Sequence, residues 1–104
     1  MRNLLVVMAL GLPGLTASAN PAVIKMNSLG YDPKVITIKA GEAVQWQNVA
    51  HTEHYATADD GKTFDIGPIE PKASSQPVPF PAAGEYKYHC KIHGRTMSGT
   101  IVVK

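Results

Sequence analysis

Residues 42–48 read EAVQWQN, with Val44 and Trp46 falling to one side of an extended chain and Gln45 and Gln47 to the other. That period of two predicts a strand with one buried face. GEYKYHC, residues 84–90, alternates in the same way, and Tyr86 and Tyr88 share a face. AVIKMNSLG and KVITIKAG are rich in branched apolar residues and are punctuated by Asp32-Pro33 and Ala40-Gly41, so both predict strands. HYATA, ended by Asp59-Asp60-Gly61, and the closing GTIVVK predict two more. From Lys62 to Pro81 five prolines and one glycine interrupt the pattern. A loop is expected there, with one edge strand near Gln76 to Phe80, because an edge tolerates proline. No stretch follows a helical period. Short strands at regular spacing predict an all-β fold, a Greek-key antiparallel β-sandwich of about seven to eight strands. Its core should hold Met26, Trp46, Phe80, Tyr86 and the aliphatic strand faces.

The first nineteen residues follow a different pattern. Arg2 precedes an apolar run from Leu4 to Leu15, and Ala17-Ser18-Ala19 supplies small residues at its end. This is the layout of a secretory signal peptide, cleaved after about Ala19. A retained membrane anchor is the rival, but Gly11, Pro13 and Gly14 break the run and leave it too short to span. The expected organisation is a leader over 1–19 and one domain over 20–104, periplasmic or otherwise exported, soluble and monomeric.

Charge narrows the choice of partners. Arg2 is one of ten Lys and Arg residues, and the other nine face eight Asp and Glu. A near-neutral domain without a basic run offers no nucleic-acid groove, and nothing after residue 20 resembles a membrane span. Cys90 is the only cysteine, so the small exported domain has no internal disulfide to reinforce its core. A free accessible thiol in an oxidising compartment tends to oxidise. Burial as a small hydrophobe would protect it, and so would coordination to a metal.

The segment YHCKIHGRTMSG, residues 88–99, favours the metal. Cys90, His93 and Met97 crowd the connection between the last two predicted strands, and an incomplete set of this kind needs a further ligand. His89 is adjacent to Cys90 on an extended segment and should point to the opposite face. His51 or His54, after the Trp46 strand, must supply the missing imidazole, and spacing alone leaves both open. Two His and one Cys with a long, weak Met contact form the donor set of a trigonal electron-transfer copper site. Zinc accepts the same Cys and His ligands in a tetrahedron but leaves Met97 unexplained. A Cys–His nucleophile pair lacks an orienting third residue and an oxyanion pocket, so no enzyme is expected. Covalent haem is excluded because Cys-x-x-Cys-His is absent. His51 and Glu53 in HTEH, with Asp59 or Asp60, read better as a solvated polar turn than as a second metal site.

These stretches resemble the cupredoxins, the small blue copper proteins, and in particular their plastocyanin- and amicyanin-like members. YDPKVITIKAGEAVQWQN is similar to the family's N-terminal strands, DIGPIEPKASSQPVPFPAAGEYKYHC to the Pro/Gly-rich approach to the cysteine strand, and CKIHGRTMSGTIVV to its ligand loop and final strand. The resemblance implies His54 as the first histidine, eight residues after Trp46, and then Cys90, His93 and Met97 as the remaining copper ligands. It also implies a one-electron carrier whose redox partners dock transiently at an apolar patch around His93. Lys87, Lys91 and Arg95 could add a basic rim there. Copper resistance or delivery through the same pocket is the alternative role. Three positions depart from the family pattern: Ala50, the spacing from His93 to Met97, and the bulky Tyr55 that follows His54.

Overall fold

The computed structural model describes residues 20–104; the expected leader and its cleavage point after Ala19 lie outside them. Nine strands follow in order: β1 (Ala22–Met26), β2 (Tyr31–Asp32), β3 (Val35–Ile38), β4 (Ala43–Asn48), β5 (His54–Ala58), β6 (Asp65–Ile69), β7 (Val78–Pro79), β8 (Gly84–Cys90) and β9 (Gly94–Val103). They form a four-stranded sheet ordered β2-β1-β4-β7 and a five-stranded sheet ordered β3-β9-β8-β5-β6. No helix occurs among the described residues. The all-β sandwich is therefore as expected, with two differences.

The first is pairing direction. β1 runs parallel to β4 and β3 parallel to β9, while the remaining neighbours are antiparallel. Both sheets are mixed rather than purely antiparallel. The second is strand count. β2 is two residues long, below what a period can register, while β7 falls within the edge strand expected near Gln76 to Phe80 and lies at a sheet edge. β6 carries Gly67-Pro68 and was expected as loop; it lies at the outer edge of its sheet, where a missing ladder donor costs nothing.

Alternation decides what is buried. Val44, Trp46 and Asn48 of β4 point inward and Ala43, Gln45 and Gln47 do not. β9 continues the rule through Met97, Gly99, Ile101 and Val103. Between the sheets runs a column of rings. Tyr31 meets Tyr88 at 4.5 Å between centroids, Tyr88 meets Trp46 edge-on at 5.5 Å, and Trp46 leads through Phe64 to Phe80 and half-buried Tyr86. The Tyr86 hydroxyl turns back to the Ala82 carbonyl at 2.7 Å, a tyrosine corner at the start of β8. Met26, Trp46 and Phe80 are core, as expected, and Tyr88 is a larger fully buried contribution than Tyr86.

Gly99 stands opposite Tyr88 in the β8–β9 ladder. A Cβ there would lie 2.6 Å from the Tyr88 hydroxyl and 2.7 Å from Cζ. Tyr88 is fully buried against Tyr31, Trp46 and Phe64 and has no room to yield. Gly99→Ala is expected to lower unfolding free energy by about 1–3 kcal/mol through overpacking. Gly30, whose Cβ would meet nothing within 4 Å, should tolerate alanine to within about 0.5 kcal/mol. Urea unfolding of the two variants checks the contrast.

Candidate metal centre

Strand ends bring the donors together. β4 ends at Asn48, five residues cross the end of the sandwich, and β5 opens with His54. Asn48 is fully buried and uses its amide three ways. Its Oδ1 accepts the Ala50 N–H at 2.8 Å, and its Nδ2 donates to the Thr52 carbonyl at 2.9 Å and to the Ile69 carbonyl at 2.8 Å. That pins the connection to β6 and fixes where His54 begins its strand. A buried amide so used costs nothing in desolvation and specifies one loop path.

Cys90 ends β8 and is completely buried; His54 is 1% exposed. His93 occupies the three-residue turn between β8 and β9 and is solvent-exposed. Its carbonyl accepts the Thr96 hydroxyl at 2.7 Å, which closes the turn. The Cys90 Sγ lies 3.8 Å from His54 Nδ1 and 3.5 Å from His93 Nδ1. All three donor atoms fall within 4.8 Å of one another, and the two imidazole centroids are 5.1 Å apart.

Met97 was expected in a loop and instead belongs to β9. The β8–β9 ladder pairs His89 with Ser98 and Cys90 with Gly94, so Arg95, Thr96 and Met97 have no opposite residues. This bulge turns Arg95 and Thr96 outward and buries Met97, 2% exposed, in the cluster that holds Cys90.

The other histidines lie elsewhere. His51 is exposed and belongs to no potential metal group among the described residues. His89, on the opposite face of β8 from Cys90, places Nδ1 2.6 Å from an Asp59 carboxylate oxygen whose partner oxygen takes Arg95 at 3.1 Å. Asp59 is thereby engaged, and Asp60 accepts from Thr63 and Lys62; HTEH assembles no second cluster. The basic rim is not free either. Lys87 pairs with Glu85, Lys91 with Asp65 and Arg95 with Asp59.

Two features of the site left no trace in the sequence. The backbone N–H of Tyr55 donates to the Cys90 sulfur at 3.4 Å. The Tyr31 hydroxyl, from the opposite sheet, donates to the Tyr55 carbonyl. Burial, with smaller contributions from Cys90 and Tyr88, pushes the Tyr31 phenol far above its ordinary range, so it stays a neutral donor.

The donors suit a metal ion. Bonds of about 2.3 Å to sulfur and about 2.0 Å to nitrogen, opened to between a tetrahedral and a trigonal angle, separate the two donors by about 3.5–3.7 Å. The separations of 3.5 and 3.8 Å match. His54 Nε2 is buried and has no hydrogen-bond partner, so no other polar group competes for this ring. Burial, and then His93, lower the His54 pKa, which keeps the imidazole neutral and able to coordinate. A soft thiolate with two imidazoles and a buried thioether on the adjoining bulge selects copper among common metals.

A family model described as a cupredoxin-like domain matches residues 2–103. Chloroplastic plastocyanin of Tetradesmus obliquus is 33% identical over 104 residues, spanning 86% of this chain and 72% of its own. Amicyanin-alpha of Methylorubrum extorquens is 30% identical over 91 residues, spanning 85% of this chain and 76% of its own. A purple cupredoxin from Nitrosopumilus maritimus superposes with a TM-score of 0.72 at 23% identity, covering 80% of this chain and 99% of that one. A reduced amicyanin variant reaches 0.74 at 21% identity, over 84% and 85%. The chain belongs to the cupredoxin family.

The lowered His54 pKa has a thermodynamic consequence. The unfolded chain takes up this proton near pH 6.5 and the folded chain only at lower pH, so the unfolded state binds more protons between the two values. Stability of the metal-free domain should be flat in this respect above pH 6.5 and should fall as pH drops below it, by up to about 1.4 kcal/mol per pH unit. Urea titrations at pH 7.5 and 5.5 are expected to differ in the parent protein and to differ less in His54→Gln.

Proposed function

We propose that this cupredoxin is an exported one-electron carrier in which His54, Cys90 and His93, together with Met97, would hold a single copper ion. The observation that carries the reading is the convergence of a fully buried thiol and two Nδ1 atoms within 4.8 Å. Copper, when bound, supplies a Cu(I)/Cu(II) couple that takes up and releases one electron. The chain's residues keep the change of charge inexpensive. Cys90 and Met97 offer soft donors suited to Cu(I), and the imidazoles of His54 and His93 suit both oxidation states. Asn48 fixes the approach to His54, and Thr96 fixes the turn bearing His93.

Burial of the Cys90 sulfur leaves a substrate no approach to it as a nucleophile, which supports a carrier over an enzyme. His93, in contrast, is exposed. Leu29, Val49 and Ile92, three of the five large apolar side chains exposed among the described residues, lie in the connections at this end of the sandwich. An apolar rim around one exposed ligand edge suits brief docking of redox proteins, whose contacts are small and quickly broken. The monomeric state is part of this reading. So is a leader over residues 1–19 cleaved after about Ala19; β1 begins at Ala22, so removal would leave every strand intact.

Copper(II) added to residues 20–104 is expected to give an intense visible thiolate-to-copper band, bleached by ascorbate, restored by ferricyanide and absent in Cys90→Ser. Met97→Leu should keep the band and shift the reduction potential. A colourless protein, or one that reduces copper once and then releases it, would replace the carrier reading with copper handling.

A further inference from the structure

Tyr55 occupies a position that the copper site does not otherwise use. Its backbone is held at both polar atoms: the N–H donates to the Cys90 sulfur at 3.4 Å, and the carbonyl accepts the Tyr31 hydroxyl. The N–H is free for sulfur because the β5–β8 ladder stops short of it. The ladder pairs Ala58 with Tyr88 and Thr57 with His89, and β8 ends one residue later at Cys90.

The side chain is held as well. Across β6 the register slips from His54–Ile69 to Ala56–Ile66, so Tyr55 faces a bulge at Gly67 and Pro68. The ring lies on the Gly67 backbone. A Cβ at Gly67 would stand 2.5 Å from Tyr55 Cδ2 and 2.9 Å from Cγ, and its φ of +133° independently favours glycine. Continued by two residues, the β5–β8 register sets Tyr55 opposite Lys91, whose Nζ sits 5.2 Å from the ring centroid. Asp65 fixes that ammonium at 3.1 Å and accepts the Thr57 hydroxyl at 2.9 Å. The Tyr55 hydroxyl takes no part in the described hydrogen bonds, so the ring acts as a surface rather than as a polar group.

We propose that Tyr55 is a positioning residue for the copper centre: its ring, seated on Gly67 and covered by Lys91, holds its own peptide N–H on the Cys90 sulfur and raises the reduction potential. The inference rests on the copper reading above. Sulfur carries more negative charge when the metal is monovalent. An N–H aimed at it therefore stabilises the reduced state more than the oxidised one. Loosening the ring lets the peptide turn, weakens the bond and lowers the potential.

The test compares Tyr55→Ala, Tyr55→Phe and Gly67→Ala by redox titration of the copper-loaded domain and by amide exchange of residue 55 in the metal-free domain. At the midpoint potential of the parent, Tyr55→Ala and Gly67→Ala should shift the oxidised-to-reduced ratio toward oxidised about three- to tenfold. Tyr55→Phe, which keeps the ring, should match the parent. The residue 55 amide should exchange slowly in the parent and in Tyr55→Phe and faster in the other two. Lys91→Met should lower the potential more in the parent than in Tyr55→Ala, because part of its effect passes through the ring; equal shifts in both backgrounds overturn the role of Lys91. Parental potentials and amide exchange in Tyr55→Ala, or a Phe variant as altered as the Ala variant, overturn the role of the ring. If Gly67→Ala fails to fold, Tyr55→Ala against Tyr55→Phe decides alone. A parent without the visible band defeats the copper reading itself, whereas a banded parent whose potential ignores Tyr55 defeats only this inference.

Discussion

A thiol and an imidazole 3.8 Å apart, both cut off from water, are the constraint that the rest of this domain accommodates. Neither group gains from burial alone. A buried ionisable side chain is costly unless its charge is paired or its neutral form is kept. The fold meets that requirement from several directions. The Tyr55 N–H is directed at the sulfur, His54 is held neutral by its surroundings, and a second imidazole closes the cluster from the solvent side. A metal ion held there would take the thiolate charge and link a thin sandwich across strand ends that have no disulfide.

Strand topology makes the cluster a property of the fold rather than of one loop. The three donors come from the start of β5, the end of β8 and the turn before β9, so two neighbouring strands and their connection must be in register for the atoms to meet. Asn48 and Tyr31 extend this control into the other sheet. Asn48 ties the end of β4 to β6, and Tyr31 reaches across to the backbone beside His54. The two Gly–Tyr pairs, Gly99 with Tyr88 and Gly67 with Tyr55, set how closely a neighbouring backbone approaches each ring. One ring lies in the core and the other beside the donors. Packing and ligand geometry are thus the same problem at two depths.

Alternation made β4 and β8 legible, because a one-sided strand has to repeat every second residue, and the burial of Val44, Trp46 and Tyr88 follows that repeat. The chemistry of the donor set was legible too: an unpaired cysteine near two histidines and a methionine has few uses. The choice of His54 over His51 was not. Periodicity sets a register only within a strand, and it was the family resemblance that distinguished two histidines three residues apart. β6 stayed hidden because Gly67 and Pro68 erase its pattern, and β2 because two residues have no period, whereas β7 falls within the edge strand expected near Gln76 to Phe80. The parallel pairings join segments distant in sequence and leave no local mark. The carboxylates of Glu85, Asp65 and Asp59 that pair with Lys87, Lys91 and Arg95 could not be placed beside them from sequence alone.

If the protein rather than the metal sets the donor geometry, that geometry should persist through a change of oxidation state. X-ray absorption at the copper edge, on oxidised and reduced samples of the loaded domain, tests this most directly. One short copper–sulfur and two copper–nitrogen distances, each changing by no more than about 0.1 Å between the two states, is the expected result. Loss of a nitrogen on reduction, or a sulfur-free shell of oxygen and nitrogen in the oxidised protein, would contradict it.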